Sequence, residues 1–111
     1  MTESSALSRR VREAVQTAEA VYVSSASVWE LAIKVAAGKL TTPDDMEAQM
    51  RESRFTELPI TVRHAVAAAK LPRFHADPFD RMLVAQAAVE SLTLVTSDKR
   101  LADYGVKVLL A

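Results

Sequence analysis

Leu7, Val11, Ala14, Val15 and Ala18 recur at helical spacing with Arg9, Arg10, Arg12 and Glu13 between them, which predicts an amphipathic helix over residues 7–20. Val21-Tyr22-Val23-Ser24 is short, β-branched and aromatic, the pattern of a buried strand. Ser27-Val28-Trp29-Glu30 has the Ser-x-x-Glu spacing of a capping box and opens a helix expected to run to about Ala37, with Gly38 at its end. Thr42-Pro43-Asp44-Asp45 opens a further short helix carrying Met46 and Met50. Phe55 to Ile60 fits a strand, and Pro59 argues for a place at the sheet edge.

Thr61 is placed to cap a helix over residues 62–70, which Leu71-Pro72 terminates before the loop Arg73-Phe74-His75-Ala76. Asp77-Pro78-Phe79-Asp80 then reads as N-cap, proline at the first helical position and an acid in the first turn. That helix carries Phe79, Leu83, Val84, Ala87 and Ala88 on one face and ends near Ser91, before the apolar strand Leu92 to Thr96. Ser97-Asp98 starts a short helix to about Tyr104, Gly105 closes it, and Val106 to Leu110 forms a last strand. Strands alternating with helices predict an α/β fold. Its sheet should be mostly parallel and covered on both faces, with a site beyond the carboxyl ends of the strands.

Composition narrows the picture. In 111 residues there are 14 Lys and Arg against 14 Asp and Glu, so no global field attracts a polyanion. The absence of Cys excludes a disulfide framework, a thiolate metal site and a cysteine nucleophile, and it points to a reducing cytoplasm. No window is apolar enough for a membrane span, and no linker divides the chain, which reads as one domain over residues 1–111. No GxGxxG, P-loop or GxSxG sequence occurs, so dinucleotide, nucleoside-triphosphate and serine-hydrolase chemistry have no support.

Three acids fall at related places. Glu30 follows the first strand, Asp98 follows the third, and Asp80 sits in the first turn of the helix before that third strand. Gathered at one rim, they would repel one another unless a hard divalent cation, Mg²⁺ or Mn²⁺, lay between them. Each acid also has a plain structural use: Glu30 in the capping box or paired with Lys34, Asp80 in a first turn, Asp98 as an N-cap. His64 and His75 lack zinc-ligand spacing and read as surface or loop residues. Trp29 and Phe79 read as core contacts, and Met46, Met50 and Met82 as packing or a protein-binding face.

The segments Val21 to Lys34 with Gly38-Lys39-Leu40, then Leu58 to Thr61, His75 to Ala87, Leu92 to Asp98 and Tyr104-Gly105-Val106 together resemble PIN-domain toxins. These are the VapC ribonucleases of bacterial toxin–antitoxin pairs, and the resemblance covers the chain from about residue 7. It implies a PIN-like three-layer α/β/α fold, Mg²⁺- or Mn²⁺-dependent RNA cleavage and neutralisation by a cognate antitoxin. A homodimer is implied as well. Glu30, Asp80 and Asp98 match three acidic, metal-binding and catalytic positions of the family. Asp77 is the rival to Asp80, but the family's pattern of an acid followed by Ala at plus five and plus seven fits Asp80 with Ala85 and Ala87, and the resemblance leaves Asp77 as the helix cap. Arg81 and Lys99 stand beside two of the acids, placed for contact with RNA phosphate or for a solvated ion pair.

Family members begin with an apolar strand ending in Asp, which lies at the centre of the sheet. Residues 1–6 here hold no apolar run. The expectation is therefore a PIN-like domain whose central first strand is missing, with strand edges left unpaired and activity reduced unless a partner supplies the acid. Three readings follow: an ordinary nuclease whose natural chain starts upstream, a non-catalytic module that binds an antitoxin or a homologous subunit, or, last, a plain structural α/β fragment with capping acids and no partner.

Overall fold

A computed structural model describes residues 2–39 and 45–111. The elements in chain order are α1 (Thr2–Thr17), β1 (Tyr22–Ser24), α2 (Ser25–Ala36), α3 (Met46–Glu52), β2 (Thr56–Leu58), α4 (Val62–Lys70), α5 (Pro78–Glu90), β3 (Leu94–Thr96), a 3-10 helix (Lys99–Tyr104) and β4 (Val108–Leu110). This α/β alternation is the one the hydrophobic pattern predicts, and both strand pairings are parallel. The chain divides into two units, Ala20–Ile60 on one hand and Met1–Glu19 with Thr61–Ala111 on the other.

In the first of these units β1 pairs with β2, Val23 opposite Glu57. The capping box expected at Ser27 and Glu30 does not form. Ser24 is the N-cap of α2, and its hydroxyl accepts from the Ala26 amide at 3.0 Å, so the helix follows the strand without a loop. Glu30 thus stands in the second turn, beyond the reach of a capping role. Trp29, expected in the core, is 62% exposed. Asp45 caps α3, accepting from the Ala48 amide, while Thr42, Pro43 and Asp44, expected to open it, lie outside the described residues.

In the other unit β3 pairs with β4, Val95 opposite Leu109. Among the described residues the strands form two parallel ladders of two strands each, in keeping with the expected absence of a central first strand and the unpaired edges it leaves. α1 ends at Thr17, three residues short of the expectation. The Thr17 hydroxyl donates to the Glu13 carbonyl at 2.9 Å and competes for the last-turn acceptors. Val84, Ala87, Leu94 and Leu101 form the core, with Leu71, Leu83, Tyr104 and Val106 packed against them. Four successive residues of α5, Val84 to Ala87, are buried, so this helix is covered on more than one face.

α4 and α5 meet around a polar group. His64 is 1% exposed, not on the surface. Its Nδ1 accepts from the Thr61 amide at 3.0 Å, while the Thr61 hydroxyl accepts from the His64 amide, a capping box with His in the usual Glu place. The other ring nitrogen lies 2.8 Å from the Glu90 carboxylate, so the Nε2–H tautomer satisfies the whole ring. The Thr61-x-x-His64 spacing carried that signal in the sequence.

Among the described residues, no helix is long and apolar enough to cross a membrane.

Candidate metal centre

Asp77 caps α5, accepting from the amides of Phe79 at 2.8 Å and Asp80 at 3.4 Å. With Pro78 at the first helical position, this fixes the entry of the chain into α5 and leaves Asp80 in the first turn with its carboxylate free of a capping role. Asp98 caps the 3-10 helix through Oδ1, which accepts from the Arg100 amide at 3.0 Å. Strand β3 ends two residues earlier, and the Thr96 hydroxyl accepts from the Asp98 amide at 3.1 Å, so the acid is delivered at the carboxyl end of β3.

Between these two acids stands a residue that sequence reading set aside. His75 Nε2 lies 2.8 Å from Asp80 Oδ2 and 3.8 Å from Asp98 Oδ2. The three side chains are partly buried, 14% exposed for His75, 27% for Asp80 and 25% for Asp98. One ligand atom from each falls within 4.8 Å of the others. The donors are of the right chemistry for a divalent cation: two carboxylates bring the charge, the imidazole offers a lone pair, and each comes from a different segment. The residues fit the ion that the resemblance implies. His75 was missed because it belongs to no periodic segment, and its only signal was a place five residues before Asp80 on a loop returning into a helix start.

Glu30 lies on α2 in the other unit and is half-buried. Lys99 is exposed at the first position of the 3-10 helix, directly after Asp98. Arg81 is not free for phosphate. Its Nη2 donates to the carbonyls of Ala68 at 2.9 Å and Leu71 at 3.0 Å, and its Nη1 to that of Pro72 at 2.9 Å. The same Nη1 reaches the His75 carbonyl and the Tyr104 hydroxyl at 3.5 Å each.

The family model of the PIN domain matches residues 1–107. The chain belongs to the PIN domain family. No curated protein matches the chain at a significant level. PIN domains are typically metal-dependent nucleases, and His75, Asp80 and Asp98, from the loop before α5, its first turn and the cap of the 3-10 helix, form a group able to hold a metal ion.

Arg100 governs the ionisation of Asp98. Its Nε donates to Oδ1 at 2.9 Å and its Nη2 to Oδ2 at 2.7 Å. This pair, with the Arg100 amide, lowers the Asp98 carboxyl from 3.8 to about 2. The favourable effect of the pair on folding is full above pH 3.8 and is lost as pH falls through about 2. Arg100→Ala is expected to move the Asp98 midpoint up toward 3.8, read by carboxyl ¹³C shifts against pH. An unmoved midpoint would exclude Arg100 as the cause.

Proposed function

We propose that this PIN domain is a Mg²⁺- or Mn²⁺-dependent ribonuclease of the VapC toxin type, with Asp80 and Asp98 holding the ion. The observation that carries the reading is the convergence of those two carboxylates with His75 in a chain of this family. Glu30 holds the family's third acidic position, and its role is proposed on that resemblance alone. The Ser24 cap of α2 removes the capping role that otherwise accounts for it. When bound, a divalent ion supplies charge neutralisation at the phosphodiester and lowers the pKa of an attacking water.

The chain's own part is orientation. The Asp77 cap fixes the start of α5 and hence Asp80, the Thr96 hydroxyl and the Arg100 fork fix Asp98, and the exposed Lys99 stands ready for substrate phosphate. In this reading RNA is the substrate, a cognate antitoxin the inhibitor, a homodimer the working assembly and the cytoplasm the compartment.

Incubating the purified chain with single-stranded RNA, with millimolar Mg²⁺ or Mn²⁺ and with EDTA, tests the proposal. Slow cleavage with metal and none with EDTA is expected, since residues 1–6 hold no apolar strand ending in Asp. A folded chain that leaves RNA intact at every metal concentration would overturn it.

That outcome would favour a second reading, a non-catalytic module binding an antitoxin or a homologous subunit. It has its own support: β1 pairs only with β2 and β3 only with β4 among the described residues, which leaves each ladder a strand edge for addition of another chain.

A further inference from the structure

We propose that His75 is itself a metal ligand, so that this centre is a mixed imidazole–carboxylate site that selects a first-row transition dication such as Mn²⁺ over Mg²⁺. The inference rests on the nuclease reading above and specifies the ion that its site takes.

Position comes first. A histidine that merely pairs with an acid needs one partner, whereas His75 Nε2 faces two carboxylate oxygens from separate elements, at 2.8 and 3.8 Å. Around an octahedral ion with bonds of about 2.1 Å, neighbouring donors lie about 3 Å apart and opposite donors about 4.2 Å apart. The separations of the three donor atoms, all within 4.8 Å, fall close to that range. Helix electrostatics give no competing reason for the residue. At the N-terminus of α5 the favourable charge is negative, and Asp77 and Asp80 already provide it.

The loop is also held in place by its surroundings. The His75 carbonyl accepts from the Tyr104 hydroxyl at 3.4 Å and from Arg81 Nη1 at 3.5 Å. Its neighbour Phe74 packs its ring on that of Tyr104, centroids 5.2 Å apart. Two anchors on other elements thus fix the main chain from which the imidazole projects, which is how a ligand is preorganised. The ring is mostly covered, while each carboxylate keeps about a quarter of its surface open, so solvent or substrate has access from the acid side.

Ligand chemistry then selects the ion. Mg²⁺ dehydrates reluctantly and takes oxygen donors, whereas imidazole binds transition dications well. One nitrogen among oxygens favours Mn²⁺ relative to Mg²⁺, although both ions fit the carboxylates.

The test uses the full chain, its His75→Gln variant, calorimetric titration with Mn²⁺ and with Mg²⁺, and pulsed EPR of the Mn²⁺-loaded protein. Glutamine keeps polarity and offers an oxygen in place of the nitrogen. In the variant, Mn²⁺ affinity is expected to fall at least about tenfold with Mg²⁺ affinity changed by less than about threefold. The wild-type Mn²⁺ signal should carry nitrogen coupling that shifts on ¹⁵N-histidine labelling. Unchanged Mn²⁺ affinity in a variant folded by circular dichroism, with no nitrogen coupling in the wild type, overturns the proposal and leaves the nuclease reading standing. Wild-type protein that binds neither ion overturns both. Should the variant not fold, the wild-type nitrogen coupling decides by its presence or absence.

Discussion

Asp80→Asn is expected to reduce metal-dependent RNA cleavage at least about a hundredfold, more than the loss of a group that only orients a ligand. The substitution keeps the volume and leaves an amide oxygen to accept from His75 Nε2, now 2.8 Å from the carboxylate. What it removes is one of the two negative charges that flank the imidazole, and a neutral amide is a weak ligand for a hard dication. Its structural cost is small: a first-turn acid contributes about 0.3–1 kcal/mol through the helix dipole, and the Asp77 cap remains. Wild-type protein should gain several degrees in a thermal melt with millimolar Mn²⁺, and the variant should lose that gain while melting at nearly the same temperature without metal. Asp80 is the cleaner probe of the two acids, because replacing Asp98 also breaks the Arg100 fork and the cap of the 3-10 helix. Cleavage that survives Asp80→Asn undiminished, in the same metal-dependent form, would remove Asp80 from the site.

Local rules made much of this fold legible. Thr61, Asp77 and Asp98 each cap the helix that their spacing predicted, because an Asx or Ser/Thr cap is a contest among a few neighbouring amides and needs no distant partner. The failure at Ser27 is of the same kind. Ser24 is an equally good cap three residues earlier, and the immediate end of β1 decides between them. Parallel pairing was legible from the alternation of strands and helices, and the two separate ladders agree with the unpaired strand edges expected where no apolar first strand occurs.

The candidate site divides in the same way. Asp80 and Asp98 stand at element starts, where sequence spacing places them. His75 acquires meaning only when the loop folds back to put its ring between them, at 14% exposure. The two histidines show how poorly residue type alone predicts burial. Both read as surface or loop groups; His75 does lie on a loop, yet each joins two segments by hydrogen bonds, His64 through Glu90 and His75 through Asp80.

Arg81→Ala is expected to destabilise the protein by roughly 2–4 kcal/mol and to weaken metal binding about tenfold with every metal-ligand candidate left unsubstituted. The last carbonyls of a helix have no helical N–H partner, and at the end of α4 Arg81 reaches over from α5 to those of Leu71 and Pro72 and to that of Ala68, which also accepts from the Leu71 amide. The shape of the guanidinium suits this position. Three carbonyl oxygens at 2.9 to 3.0 Å around its two terminal nitrogens use its planar fork, and its charge complements the C-terminal end of the helix dipole. Removal leaves those acceptors to water where they are accessible, which keeps the cost well below the sum of three charged hydrogen bonds. Arg81→Lys should recover little, since a single ammonium cannot span the Ala68, Leu71 and Pro72 carbonyls together. The effect on the site follows from the contact at 3.5 Å to the His75 carbonyl. With it gone, the loop hangs on Tyr104 alone, and His75 spends less time facing Asp80 and Asp98. Urea denaturation gives the first quantity, calorimetric Mn²⁺ titration the second, and amide exchange over residues 71–77 should rise in the variant. A stability change below about 0.5 kcal/mol would show that water replaces Arg81 without loss, and the staple between α4, the loop and α5 would have to be sought elsewhere.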